Sequence, residues 1–254
     1  MAFKVNLRKE IKLIAALLVL AAAAAFSSRQ HGPPTVKNIT IRVENIQDNH
    51  FLDQQDVVQL MELEHQNLKG ASLAKLNLRD IEKRIRTDRF VEDAELYSDL
   101  KGNLIVRTTL RRPIARVVRN DGPDGYIAED GTVMPVSEKF TSRVVLLSGS
   151  YVRELLRMDN LNATEEGKQL MHLMGAIRED DFWRAQIAQL DIDSKGRITL
   201  LPQIGGQVIE FGHPVNTEEK LKKLAIFYKE ILPQMGWNKY ERVNLEYESQ
   251  VVAE

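Results

Sequence analysis

Residues able to do chemistry are scattered along this chain and do not gather into a constellation. The five histidines, His31, His50, His65, His172 and His213, share no metal-ligand spacing, and no H-E-x-x-H pair occurs. One run starts like a calcium loop: Asp191-Ile192-Asp193-Ser194-Lys195-Gly196. Its fifth position is Lys195 and its twelfth is Pro202, where calcium needs a bidentate Glu, so the run reads as a hairpin turn. There is no G-x-S-x-G, no P-loop and no G-x-G-x-x-G, and Gly205-Gly206 reads as a turn and not as a phosphate cradle. The chain has no cysteine, which removes thiolate chemistry and Cys metal sites. No carboxylate pair or Ser-His pair singles itself out. Asn38-Ile39-Thr40 and Asn162-Ala163-Thr164 read as chance sequons. These residues single out no catalytic, cofactor or metal site.

The remaining chemistry is that of surfaces. Lys plus Arg is 35 and Asp plus Glu is 36, and the net charge of −1 argues against nucleic acid as a partner. The run Leu13 to Phe26 is the one stretch able to enter a bilayer, with Lys4, Arg8, Lys9 and Lys12 before it. Those cations keep the N-terminus cytoplasmic and send everything after the run across the membrane. A cleaved signal and a retained anchor both fit the segment. Small residues near Ala23 and Ala25 suit cleavage. Extending the helix to Ile11 and Ser28 gives roughly 27 Å, close to the hydrocarbon thickness.

The elements behind it follow from periodicity. Ser27 to Thr35, with Gly32 and Pro33-Pro34, is a linker. Val36 to Val43 alternates as a half-buried strand. Asp53 to Glu62 has helical spacing with a cap at or just before Asp53. A second helix carries the stripe Leu78, Ile81 and Ile85, with Asn77 as its cap. Phe90 to Tyr97 and Leu104 to Arg111 are strands joined at Asp99 to Asn103, and Pro113 ends that ladder. Two helices on a three-stranded sheet make an α+β unit.

Beyond Arg116 the pattern predicts a hairpin around Asp130-Gly131, a strand at Arg143 to Leu147 and a helix at Thr164 to Glu179. A hairpin over Ser194 to Gly196 and a strand at Gln207 to Phe211 follow. Then comes a helix capped by Thr217 and stopped by Pro233 and Gly236. The last segment, Arg242 to Val251, alternates: Val243, Leu245 and Tyr247 on one side, and Arg242, Asn244, Glu246 and Glu248 on the other. The first three fit core packing as well as recognition, and a solvated face accounts for the two glutamates. Trp237, just past the helix stop, suits either an interface or a buried plug.

Several motifs resemble those of the bacterial cell-division family FtsQ/DivIB. Leu110-Arg111-Arg112-Pro113-Ile114-Ala115 is similar to the family's E-R-x-P-x-A exit. Tyr126 to Pro135 resembles its I-D-x-x-G-x-v-f hairpin, and Val145-Leu146-Leu147-Ser148-Gly149 its P-x-L-x-G strand. Val208 to Gly212 followed by Glu219-Lys220-Leu221 resembles i-x-L-G and e-K-l, and Val243-Asn244-Leu245-Glu246-Tyr247 resembles v-D-L-R-Y. The resemblance implies an α+β protein. A cytoplasmic tail (1–12) and a single retained transmembrane helix (13–28) would precede a linker (29–35). A POTRA-like β-α-α-β-β module (36–115) and a mostly antiparallel β domain with flanking helices (116–254) would follow.

The resemblance further implies a non-enzymatic scaffold at the division septum, in the cytoplasmic membrane, with its main domains extracytoplasmic. It would bind FtsB-like and FtsL-like coiled-coil proteins, among other division proteins, and help control septal peptidoglycan synthesis. A POTRA-type chaperone of envelope assembly and an exported cell-wall enzyme are the alternatives. The family's partner adds as a strand to the final strand, here Arg242 to Val251, by β-augmentation. The site residues carried over are Trp237, Arg242, Val243, Asn244, Leu245, Glu246, Tyr247, Glu248 and Val251, with Tyr247 as anchor. Asn244 stands where the family has Asp and Glu246 where it has Arg, so the partner is expected to carry a basic residue facing Glu246.

Overall fold

In the computed structural model, residues 15–23, 35–44, 49–61, 68–248 and 250–254 are described. Residues 15–23 form a helix, α1, and the remainder of the expected membrane segment and linker lies outside the described residues, apart from Thr35. No helix among the described residues is long and apolar enough to cross a membrane.

The first module has three strands and two helices. They run β1 (Ile39–Glu44), α2 (Gln54–Met61), α3 (Leu78–Ile85), β2 (Val91–Ser98) and β3 (Leu104–Leu110). The sheet order is β1-β3-β2, with β1 parallel and β2 antiparallel to β3. Along β3 the alternation is strict: Leu104, Val106, Thr108 and Leu110 are buried and pack under Val57, Ile81 and Ile85 of the helices. Asp53 caps α2, its Oδ1 accepting from the N–H groups of Gln55 and Asp56, while Asp56 accepts from the Asp53 N–H. This is a capping box built from two aspartates. Asn77 precedes α3 but does not cap it; its Nδ2 donates to Asp80 at 2.6 Å instead. Short polar side chains choose the nearest strong acceptor, and here that is a carboxylate.

The second module is one nine-stranded sheet of order β12-β11-β10-β9-β8-β7-β4-β5-β6. Its strands begin with β4 (Pro113–Val117), β5 (Gly125–Ala128), β6 (Val133–Pro135) and β7 (Val145–Ser148). Helices α4 (Val152–Leu155), α5 (Glu165–Glu179) and α6 (Asp181–Gln186) lead to β8 (Ile187–Ile192), β9 (Ile198–Pro202) and β10 (Val208–Gly212). The chain ends with α7 (Thr217–Ile226), π-helical turns at Phe227–Ile231, α8 (Leu232–Met235), β11 (Arg242–Asn244) and β12 (Val252–Ala253). The sheet is mixed: β4–β7, β7–β8 and β10–β11 are parallel and the other pairs antiparallel. Leu147, Leu190, Leu200, Ile209 and Phe211 of the sheet share one core with Leu173, Met174 and Leu224 of α5 and α7.

Three boundaries differ from the sequence expectation. Pro113 ends the first ladder but opens β4, opposite Ala128, so residues 113–115 belong to the larger sheet. A proline is tolerated as the first residue of a strand. Pro233 does not stop its helix. The Leu232 N–H reaches back to the Phe227 carbonyl in a π turn that absorbs the proline, and Gly236, at φ 99°, ends the helix. Thr217 is the first helical residue, and the cap position is Asn216, left-handed at φ 52°.

The modules touch through a third cluster. Phe51 stacks on Phe90 at 4.8 Å and meets Tyr126 at 5.2 Å and Phe140 at 5.3 Å. Around it, Lys139 pairs with Asp53 and Asp56, Arg111 with Asp130, and Arg89 with Asp159.

Candidate functional site

The C-terminal segment does not run as one strand from Arg242 to Val251. Asn244 ends β11: its Oδ1 accepts from the Glu246 N–H at 2.8 Å, an Asx turn that competes with the ladder. The chain turns at Tyr247 and Glu248 and returns as β12, antiparallel to β11, with Val243 opposite Ala253 and Asn244 opposite Val252. Arg242, Val243 and Asn244 are therefore paired on both sides, by β10 and by β12. They offer no free backbone; the edge strand at this end of the sheet is β12, with β6 at the other.

The direction of that edge follows from its hydrogen bonds. Arg242 and Glu254 exchange both N–H···O contacts, at 3.2 and 3.0 Å. The next pair, Val243 with Ala253, is the non-hydrogen-bonded kind, so the N–H and C=O of Ala253 point away from β11 into the open. Ala253 and Val251 pack their side chains against the main core, as Val243 and Leu245 do.

The other expected site residues divide by burial. Val243 and Leu245 are fully buried core. Tyr247 is 51% exposed and Trp237 48%, the latter with its ring 6.3 Å from Tyr228. Glu246 and Glu248 are exposed, but the Glu246 side chain folds over Gly212, where a Cβ would meet its Cγ at 2.6 Å.

Three residues outside the expected set hold this edge. Glu210 on β10 accepts from Asn244 at 2.7 Å and from Arg242, tying β11 across its solvent side. Lys220 is buried and its Nζ donates to the carbonyls of Phe211 and His213, both at 2.8 Å. Burial lowers its pKa, and the nearby Glu246 carboxylate opposes that shift. Lys223 donates to the Tyr247 carbonyl at 2.8 Å and so fixes the turn into β12. Two lysines at i and i+3 on one helix were visible in the sequence; their carbonyl targets were not.

The carboxylates of the calcium-like run are committed to structure. Asp193 accepts from the N–H groups of Lys195 and Arg197 and from the Arg197 side chain, closing the β8–β9 turn. Asp191 accepts from Ser148 at 2.6 Å. The two carboxylates of the calcium-like run thus serve different partners, and no group of three acidic or His residues suited to a metal occurs among the described residues.

Residues 35–109 match the POTRA-like domain, consistent with the β-α-α-β-β module. No curated protein matches the chain significantly. Residues 112–254, more than half of the chain and the whole of the nine-stranded module, match the family described as FtsQ/DivIB, C-terminal related, and the chain belongs to that family.

Proposed function

We propose that this protein is a non-enzymatic cell-division scaffold whose partner adds as a strand to β12. The observation that carries the reading is the open β12 edge, with Ala253 presenting its N–H and C=O outward and the approach to it pinned by Glu210 and Lys223. Strand addition draws affinity from such backbone groups and register from alternate side chains. Tyr247, half exposed beside the edge, supplies an amphipathic anchor. The partners in this reading are FtsB-like and FtsL-like coiled-coil proteins, and the consequence is control of septal peptidoglycan synthesis. A retained helix over 13–28 keeps residues 1–12 cytoplasmic and holds both modules on the outer side at the septum. Glu246 faces a basic residue of the partner.

The test is Ala253→Pro. Proline deletes the outward N–H without touching the Arg242–Glu254 bonds, and it suits an edge strand. The full chain in a neutral detergent should lose about ten-fold or more in affinity for the exported part of the host's FtsB-like coiled coil. Its thermal melt should stay unchanged. Undiminished binding by Ala253→Pro would refute strand addition at β12. A Glu246→Lys chain should regain binding when the facing partner residue is made acidic.

A further inference from the structure

A second surface lies in the middle of the large sheet, at the start of β7 and β8 beside the C-terminal half of α5. It is a groove of about 450 Å³. Its floor is apolar, with Ile114, Val145, Met174 and Ile177. Its polar rim carries Arg116, Arg143, Arg178 and Arg184, and no Asp or Glu lines it. Four guanidiniums converge on one cavity, and the carboxylates paired with three of them lie outside its lining, so the rim offers N–H donors with no acid facing into the groove.

These arginines are not used up by their neighbours. Arg116 and Arg178 each pair through one nitrogen, with Asp124 and Glu129 respectively, Arg178 also lying within 3.8 Å of Glu179, and Arg184 uses two, one on Asp181 and one on the Arg178 carbonyl. A guanidinium has five N–H donors, so each keeps others free. The Arg116 Nε is buried without a hydrogen-bond partner. Arg143 is exposed and has no ion pair among the described residues.

We propose that this groove binds an acidic segment of a partner polypeptide, in which carboxylate side chains alternate with apolar ones. The carboxylates meet the arginine rim, and the apolar side chains fill the floor that a simple anion would leave wet. The volume matches a few side chains, within the usual range of binding clefts. The groove is separate from the β12 edge: β8 lies four strand positions from β12, roughly 19 Å at the ordinary strand spacing. Both surfaces can therefore be occupied together, and this inference does not depend on the strand-addition reading.

Fluorescence anisotropy of the full chain in neutral detergent tests it, with a labelled heptapeptide of alternating Glu and Leu as probe. The same peptide with Gln for Glu should bind about ten-fold or more weakly. Arg143→Glu and Arg184→Glu sit on exposed side chains, so the fold should persist, as an unchanged melt would verify. Each should weaken the Glu-Leu peptide by about ten-fold, and the pair should favour a Lys-Leu peptide instead. Ala253→Pro should leave this binding intact. Equal binding of the Gln and Glu peptides, indifference to both reversals, no binding at millimolar peptide, or loss on Ala253→Pro would each overturn the proposal. Complete competition by inorganic phosphate at peptide-equivalent concentration would also overturn it, because the site would then hold a free anion only.

Discussion

Asn244 shows how one side chain sets the chemistry around the edge. Its Nδ2 donates to Glu210 and its Oδ1 accepts from the Glu246 N–H, so it needs a donor and an acceptor at once. Aspartate, which the family pattern has here, would place a second carboxylate 2.7 Å from that of Glu210. Asn244→Asp should therefore cost about 1–3 kcal/mol at neutral pH, measured by urea unfolding. The paired carboxylates would raise the pKa of one of them in the folded state, so the folded variant binds the extra proton and its loss shrinks as pH falls toward 4. Glu210→Gln in the same chain should restore most of the stability. An equal deficit at pH 7 and pH 4 would remove the electrostatic explanation. The departure at 244 was legible in the sequence. Its cause was not, because Glu210 lies on another strand and only the parallel β10–β11 register brings the two opposite each other.

At the scale of elements, alternation read correctly, and of the expected caps Asp53 held while Asn77 and Thr217 did not. In the strict period of β3, the Asp53 cap and the Asp99 turn, local sequence decided the outcome. The two missed caps turned on local competition, and the remaining misreadings arose where a tertiary contact overrode the local signal. Pro113 opens a strand because β5 was there to receive it, and Pro233 is carried past by a π turn. The last strand split in two because Asn244 and Lys223 turn the chain, and only then can β12 cover β11. The helix that does this turning, α7, is itself stapled to β10 by Lys220. That ammonium also sits 4.8 Å from the centre of the Phe211 ring. Lys220→Met keeps the aliphatic packing but leaves the carbonyls of Phe211 and His213 without their donor. We expect a loss of about 2 kcal/mol in urea unfolding, since the unmet carbonyls outweigh the relief of removing a partly buried charge. A Met variant as stable as the parent would show that the lysine's desolvation cancels its hydrogen bonds.

Across the whole molecule, the junction between modules decides how the first sheet is held against the second. The junction is a small aromatic core around Phe51, ringed by charges. Two of its carboxylates are shifted downward. The Asp56 N–H and then Lys139 hold Asp53 low. Burial pushes Asp130 up, but the Thr132 N–H and the Arg111 guanidinium outweigh it. A carboxylate whose folded pKa is depressed adds stability above its unfolded pKa near 4 and loses it as pH falls through the folded value. Acid should thus loosen the junction below about pH 4, while the buried faces of each module, which do not titrate, persist longer. Melting temperature followed from pH 6 to pH 2.5 should fall more steeply for the parent chain than for Asp53→Asn/Asp130→Asn, which starts lower at pH 6 and converges on the parent in acid. Spin labels placed on β2 and β9 should show the same trend as a broadened distance distribution, in the parent only at low pH and in the variant already at neutral pH. Parallel melting curves with a single narrow distance throughout would mean that the Phe51 cluster alone fixes the angle between the modules, and that the ring of charges merely decorates it.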